Sequence, residues 1–249
     1  MTAVVGILCK DGVVIGADSS ATFMSGEFRT VEQPIEKLHI CQKKVIIAGA
    51  GFVGHSQRFC ETVEKAWLNK VFVRSADKSP LDIARALCGA QVEDFRKTGA
   101  NQGAYTALIA FPHHKGPQLC EFTIKDFQPE MKHAGMWFCS MGCTQPMTDS
   151  FLALMREVFW TDGPPDVSDG MFAATWTLDH AIKYNTGGVN GPVKMAVLQN
   201  DEARIVSQGE LDEHRQNISA ACERLRSYRS EHNEANPATL PEPPSRASV

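Results

Sequence analysis

The chain has 249 residues, of which 43% are hydrophobic and 22% charged, and its formal net charge is −4. This composition is typical of a globular protein with a sizeable core, and the slight acidity gives no electrostatic reason to expect nucleic acid or an anionic membrane as a partner. No apolar run reaches the ~20 residues that a membrane-spanning helix needs. The first residues lack the basic segment of a signal peptide, so we expect a cytoplasmic protein.

Apolar alternation, turn residues and helical spacing predict the order of the elements. Strands are predicted at 2–9, 13–18, 35–41 and 44–50, helices at 51–70 and 80–97, strands at 104–111, 118–125 and 136–141, helices at 145–160 and 168–184, strands at 192–198 and 203–207, and a last helix at 211–231. This order differs from the strand–helix alternation of a doubly wound sheet. It favours an α+β fold, a four-layer αββα sandwich of two antiparallel sheets flanked by helix pairs.

The chain is predicted to form one domain over residues 1–232. Residues 233–249 are rich in Pro and Ser and poor in apolar side chains, so we expect an extended tail. The eight cysteines include no C-x-x-C pair, which disfavours a zinc or thioredoxin-like site and favours reduced, mostly buried thiols. Neither a metal nor a cofactor is expected.

A glycine turn follows the fourth predicted strand, in VIIAGAGFVGHS, where Gly49, Gly51 and Gly54 have the spacing G-x-G-x-x-G. This spacing is typical of dinucleotide-binding turns, which use the first strand of a βαβ unit and an acidic residue about 20 positions further on. Here apparent hairpins precede the strand, and the next strand candidate, 71–77, ends in Asp77. An NAD(P)-binding oxidoreductase therefore remains one alternative.

Thr2 directly follows the initiator methionine. Because its side chain is small, we expect Met1 to be removed and Thr2 to carry a free α-amine. Such an amine titrates near pH ~8, so it can accept a proton from a nearby hydroxyl at neutral pH. One residue would then provide both the nucleophile and the base.

Residues 2–22, TAVVGILCKDGVVIGADSSAT, resemble the opening of a proteasome β-type subunit. In that family a catalytic threonine begins a strand–turn–strand unit that leads to a D-S-x-A-T segment, here Asp18–Thr22. A lysine before an alternating strand matches Lys37, and a strand ending in a glycine turn matches residues 45–51. The short start resembles the bacterial proteasome-like peptidases, and within them we expect the betaproteobacterial subfamily. The resemblance implies an N-terminal nucleophile hydrolase fold.

The resemblance also implies the catalytic roles. Thr2 would be the nucleophile, and its amine the base, through a water molecule. Lys37 would place a cation near the Thr2 hydroxyl, and Asp18 would pair with Lys37 and keep it charged. The backbone N–H of Gly51 would face the carbonyl oxygen that becomes an oxyanion.

The substrate would pair as an extra strand between the Thr22 segment and the turn around Gly51 and Val53. The family's side-chain pocket would be lined by Ala21, Ile35, Gly49 and Val53. Because Gly49 lacks a side chain at the floor, we expect the pocket to accept large residues before the cut.

Two supporting segments depart from the family pattern. The serine of a G-S-G turn is displaced to Ser140, in Ser140-Met141-Gly142-Cys143. In the later Asp-x-x-Ser-Gly-Gly segment, Asn190-Gly191 takes the serine-glycine place and Gly187 the aspartate place. A catalytically impaired ring scaffold is therefore a second alternative.

The family forms stacked rings of six or seven subunits whose nucleophiles face an inner chamber that only unfolded chains enter. The resemblance thus implies a homo-oligomeric ring, an unfolded polypeptide substrate and an ATP-dependent unfoldase as partner. This chain has no P-loop of its own. A small-molecule amidase of the same nucleophile class is a third alternative, which a monomer or dimer would favour.

Overall fold

The computed structural model describes residues 1–25, 28–72, 78–185 and 187–234. The strands are β1 (Ala3–Leu8), β2 (Gly12–Ala17), β3 (Ser20–Ser25), β4 (Phe28–Pro34), β5 (Leu38–Cys41), β6 (Val45–Gly51), β7 (Tyr105–Phe111), β8 (Gln118–Phe122), β9 (Pro129–Met131), β10 (Phe138–Gly142), β11 (Lys194–Gln199) and β12 (Glu202–Ile205). The helices are α1 (Val53–Leu68), α2 (Pro80–Thr98), α3 (Gln145–Phe159), α4 (Val167–Tyr184) and α5 (Gln208–Glu234).

The strands form two five-stranded sheets, in the orders β10-β1-β2-β11-β12 and β5-β6-β7-β8-β9, with antiparallel neighbours throughout. Strands β3 and β4 form a separate hairpin. The termini of β1 and β6 place the two segments that the sequence singles out, Thr2 and the glycine turn, on different sheets.

The core has three parts, which correspond to the spaces between four layers. Successive side chains of β1 show the division, because neighbours in a strand point to opposite faces. Val4 packs between the two sheets with Ile46, whereas Val5 packs toward α4 with Leu178. A third cluster, which includes Phe59, lies between the second sheet and helices α1 and α2. The predicted four-layer αββα sandwich is confirmed.

Three strands were absent from the sequence-based prediction. Strands β3 and β4 lie where no element was expected, and β9 is a three-residue edge strand. The hairpin has little buried apolar surface: Phe23 is 43% exposed, Phe28 79% and Val31 47%. Because these described apolar side chains are exposed, the hairpin lacks the clear apolar–polar alternation by which strands are recognised.

Helix α5 packs against α4 through the buried Leu211 and through an ion pair of 2.8 Å between Arg215 Nε and Asp179 Oδ2. The helix ends at Glu234. The rest of the predicted tail, from residue 235, lies outside the described residues. In the described part of the chain, no helix combines the length and apolarity needed to cross a membrane.

The dinucleotide interpretation fails on topology. Strand β6 carries the glycine turn, but it pairs antiparallel with both β5 and β7 instead of entering a parallel βαβ unit. Val71 and Phe72 of the expected next strand form a turn, and residues 73–77, with Asp77, lie outside the described residues.

Candidate active site

A cavity of about 580 Å³ opens beside the N-terminus and brings together most of the predicted site. Its lining includes three of the four predicted catalytic residues, Thr2, Lys37 and Gly51, and all five predicted substrate-binding residues, Ala21, Thr22, Ile35, Gly49 and Val53. The fourth catalytic candidate, Asp18, lies behind Lys37 and is fully buried.

Thr2 lies between this cavity and a second one of about 570 Å³. Met1, Thr2 and Gly51 line both cavities. Thr2 directly precedes β1, a strand flanked by β10 and β2, and it is 8% exposed. An extended chain that runs from one cavity to the other would therefore pass Met1, Thr2 and Gly51.

The position of Asp18 follows from the pairing of β1 with β2. Val4 is opposite Ala17, which places Asp18 beside the residue that follows Thr2. The Asp18 carboxylate accepts a hydrogen bond of 2.9 Å from the backbone N–H of Ala3 and one of 3.2 Å from that of Ser20. These bonds fix the carboxylate next to the N-terminal strand.

Lys37 reaches this carboxylate from the other sheet, just before β5. Its Nζ lies 2.6 Å from Asp18 Oδ1 and 3.0 Å from the carbonyl oxygen of Met1. Burial lowers the pKa of Lys37, while the charge of Asp18 and its hydrogen bond act in the opposite direction without reversing the shift. Lys37 therefore releases its proton more readily than a surface lysine, even beside a carboxylate.

Gly51 ends β6 with a φ of +127°, a value that side-chain-bearing residues rarely adopt. A Cβ at this position would lie 2.1 Å from the carbonyl oxygen of Ala104, so the turn requires glycine for space as well as for conformation. Helix α1 begins at Val53, and all of its residues are described. It has no side-chain cap at Phe52 and no acidic residue in its first turn. No side chain of the helix therefore offsets the partial positive charge at its start.

The displaced serine does not face the cavity. Cys139 and Met141 of β10 point between the sheets, and Ser140 therefore points to the opposite face, toward α3. Ser140 is fully buried, and its Oγ lies 2.6 Å from Thr148 Oγ1 and donates to Asp149 Oδ1 at 2.5 Å. At the following turn, a Cβ on Gly142 would lie 2.0 Å from the carbonyl oxygen of Thr2, so this turn closely supports the N-terminus.

The second divergent segment, 187–192, packs along β3. The carbonyl of Gly188 accepts bonds from Ser20 Oγ at 3.2 Å and Thr22 Oγ1 at 3.5 Å, and that of Asn190 accepts one of 2.9 Å from the backbone N–H of Ser19. A Cβ on Gly188 would lie 3.1 Å from the side chain of Met1. The segment thus flanks the N-terminus, and the Asn190 side chain, at the family's serine position, donates a hydrogen bond to Glu32 Oε2.

Sequence reasoning missed two groups of residues. Ser56 and Tyr105 lie beneath Gly49 in the first cavity, and Glu121, Thr123 and Cys143 line the second. Only pairing across sheets brings these residues to Thr2, because they belong to α1, to β7 and β8 and to the turns after β8 and β10. In the described ranges, no three His, Cys, Asp or Glu side chains are grouped so that they could hold a metal ion.

The fold is an αββα sandwich. A threonine precedes a strand of one sheet, and a lysine and a glycine turn lie on the other. This arrangement defines the N-terminal nucleophile hydrolase class. A profile of the proteasome subunit family matches residues 2–151, from Thr2 into α3. The chain belongs to the proteasome subunit family. Subunits of this family generally form ring oligomers, and the membership supports a proteasome-like peptidase role. The comparison with curated proteins finds no match.

Proposed function

We propose that this protein is a threonine endopeptidase with Thr2 as its nucleophile. The observation that carries the proposal is the position of Thr2. It lines two large cavities and directly precedes Ala3, whose backbone N–H donates a hydrogen bond to Asp18. Removal of Met1 would leave an α-amine at the same point. That amine would take the proton of the Thr2 hydroxyl, through a water molecule, as the hydroxyl attacks the peptide carbonyl.

The attack would form a tetrahedral intermediate whose negative oxygen faces the N–H of Gly51. The shape of the turn supports this role, because glycine there allows close approach of a substrate backbone. Collapse of the intermediate would break the peptide bond, pass the proton from the Thr2 amine to the leaving amine, and leave an ester on Thr2. A water molecule, deprotonated by the same amine, would hydrolyse the ester.

Lys37 would support this chemistry through its charge. It lies within 3.0 Å of the carbonyl oxygen of the residue before Thr2, so after Met1 is removed an ammonium would remain close to the new amine and hydroxyl. A cation there favours the developing alkoxide and keeps the amine neutral at lower pH. Asp18 would hold Lys37 in position and offset part of the cost of burying its charge.

The substrate would bind as an extended strand beside β3. The side chain before the cut would enter the first cavity, and the chain after the cut would cross the second. The volume of about 580 Å³ supports the expectation of a roomy pocket, although Tyr105 occupies the space directly beneath Gly49.

The assembly we propose is a homo-oligomeric ring of six or seven subunits, stacked in pairs, that admits unfolded polypeptides supplied by an ATP-dependent unfoldase. Each subunit would consist of a single domain, residues 1–232, with a Pro-rich tail. Membership of the bacterial subfamily and a cytoplasmic location remain predictions from the sequence.

A ring scaffold with an impaired site is the second candidate. It is favoured by one observation: Ser140 bonds to Thr148 and Asp149 on the helix side of its sheet and is not available to Thr2. Hydrolysis of fluorogenic peptides by the full-length protein separates the two functions. The peptidase predicts turnover that Thr2→Ala abolishes and Thr2→Ser retains in part, whereas the scaffold predicts that none of the three proteins cleaves.

A further inference from the structure

The first cavity has a buried hydroxyl at its floor that the proposed chemistry does not use. Tyr105 lines the cavity but is fully buried, and its Oη makes no hydrogen bond of ordinary geometry with the described residues. Its ring is fixed by Phe127, stacked at 5.8 Å, and by edge contacts with Phe59 and His55. A buried polar group without a partner is costly, so this hydroxyl calls for a ligand.

A second hydroxyl points to the same place. A Cβ on Gly49 would lie 2.5 Å from Tyr105 Oη and 3.0 Å from Ser56 Oγ. Tyr105 Oη therefore fills the place that a side chain at Gly49 would take, with Ser56 Oγ beside it, at the bottom of the cavity. Burial raises the pKa of Tyr105, and the neighbouring Ser56 hydroxyl opposes this shift without cancelling it, so the phenol stays protonated. A hydroxyl can donate and accept, so the pair can satisfy a group that does both.

The surroundings of these hydroxyls select against a charged ligand group. The cavity walls here include Ile35, Phe52 and Val53, and burial also lowers the pKa of the neighbouring His55, which favours its neutral form. Glu36 and Lys37 also line the cavity, but Lys37 is already paired with Asp18. A carboxylate or ammonium at the floor would lose its hydration and would meet two neutral hydroxyls there. An uncharged amide or phenol would replace its water contacts with two protein hydroxyls.

We propose that Tyr105 and Ser56 are specificity-determining residues, which select a long, uncharged side chain with a terminal hydrogen-bonding group, tyrosine or glutamine, at the position before the cut. This proposal rests on the proposed peptidase function. It predicts that peptides with Tyr before the cut are cleaved about 3- to 10-fold more efficiently than matched peptides with Phe, the ratio expected for one neutral hydrogen bond.

The first test compares kcat/KM for peptides that differ only by Tyr or Phe, and by Gln or norleucine, at this position. Tyr105→Phe should bring the Tyr/Phe ratio close to one, because it should slow cleavage of the Tyr peptide more than cleavage of the Phe peptide. Ser56→Ala should reduce the same ratio. Tyr105→Phe removes only the phenol oxygen and keeps the ring contacts with Phe59 and Phe127, so we expect the variant to fold. Equal cleavage of Tyr and Phe peptides by the wild type, as expected if only water occupies the floor, would overturn the proposal, as would a preference that persists in both variants.

A second measurement keeps this proposal separate from the proposed chemistry. Binding of the same Tyr and Phe peptides to Thr2→Ala, measured by calorimetry, should show the same 3- to 10-fold preference, and adding Tyr105→Phe should remove it. If the wild type cleaves neither peptide but binding prefers Tyr, the peptidase function fails and the specificity stands. If cleavage depends on Thr2 but neither cleavage nor binding discriminates, the specificity fails alone.

Discussion

Lys37 Nζ lies 3.0 Å from the carbonyl oxygen of Met1, the atom that disappears when the initiator methionine is removed. The same nitrogen lies 2.6 Å from Asp18 Oδ1, a contact that does not involve Met1. Removal of Met1 would thus take away one acceptor and free one N–H donor of Lys37, while its ion pair with Asp18 remains. The ammonium would then lie beside the new amine, which is the arrangement that the proposed chemistry requires.

Replacing Asp18 should be more damaging than breaking an exposed pair of the same length. Asp18→Asn would leave the Lys37 charge buried without its counter-charge, and we expect the free energy of unfolding to fall by about 3–5 kcal/mol. Urea denaturation measures this loss. The matched control is Glu61→Gln, because Glu61 also pairs with a lysine at 2.6 Å but is 61% exposed. If the two substitutions lowered the free energy of unfolding by similar amounts, burial would not make the Asp18–Lys37 pair more important for stability than an exposed pair.

A double-mutant cycle identifies the cause of that loss. Lys37→Met removes the charge and keeps a long side chain, so Asp18→Asn combined with Lys37→Met should be less unstable than the sum of the two single changes. Both single variants should lose peptidase activity. Strict additivity would indicate that the two residues do not interact.

The lowered pKa of Lys37 fixes the direction of a pH effect on stability. Between the folded pKa and the ordinary value of 10.5, the unfolded chain binds more protons at this position than the folded chain does. The free energy of unfolding of the wild type, relative to Lys37→Met, should therefore rise as the pH increases through this window. Urea denaturation across this pH range measures the difference. A relative stability that falls with pH would show that Asp18 outweighs burial and raises the pKa.

Peptidase activity should follow the opposite course on the alkaline side. It should rise near pH ~8 or below as the Thr2 amine loses its proton. As the pH rises further, activity should decline again before the pH reaches 10.5, because the lowered pKa of Lys37 makes it lose its proton earlier than an ordinary lysine does. The pH profile of kcat/KM measures both limbs. In Lys37→Arg, whose guanidinium stays charged, any residual activity should lack the alkaline decline.

Gly51 and Gly54 allow a matched test of the glycine turn. Gly51→Ala would place Cβ 2.1 Å from the Ala104 carbonyl at a φ of +127°, so we expect strain, displacement of the proposed oxyanion donor and a loss of at least ~10²-fold in rate. A Cβ on Gly54 would have no described heavy atom within 4 Å beyond its own helix and chain neighbours. Gly54 also lines the first cavity, but Gly54→Ala would add a methyl group without a clash, so it should reduce peptide turnover far less than Gly51→Ala. Equal activity of the two variants would remove Gly51 from the site.

Ser140 should matter for stability and not for catalysis. Ser140→Ala removes the bonds to Thr148 and Asp149, and we expect the free energy of unfolding to fall by about 1–3 kcal/mol with kcat changed less than about threefold. Thermal denaturation and peptide hydrolysis on the same preparation measure both effects. A stable variant without activity would place Ser140 in the catalytic machinery.

The sequence was most informative at the positions that match the family motif directly. Asp18 and Lys37 are 19 residues apart and on different sheets, yet family resemblance predicted their pairing, and the two do lie in contact. The orientation of Ser140 could not be predicted in this way. A shift of one position along β10 exchanges the face between the sheets for the face toward α3, and the alternation became clear only from Cys139 and Met141.

The residues at the floor of the first cavity could not be predicted from the sequence for a different reason. Tyr105 is far from Gly49 in the chain, and its hydroxyl reaches the cavity because β7 pairs beside β6, with Gly51 opposite Tyr105. Within YTALIAF the residue resembles any core aromatic at the start of a strand. Only the positions of the neighbouring side chains show that its buried hydroxyl has no hydrogen bond of ordinary geometry. The exposed β3–β4 hairpin escaped prediction for the opposite reason, since it packs too little apolar surface to show a strand pattern.

The intact mass of the purified full-length protein, measured before and after treatment with a peptide epoxide, shows whether Thr2 becomes an N-terminal nucleophile. We expect a chain that lacks Met1 and gains one inhibitor on Thr2, located by peptide mapping, with no such gain in Thr2→Ala. A chain that keeps Met1, or that is modified equally in Thr2→Ala, would contradict it.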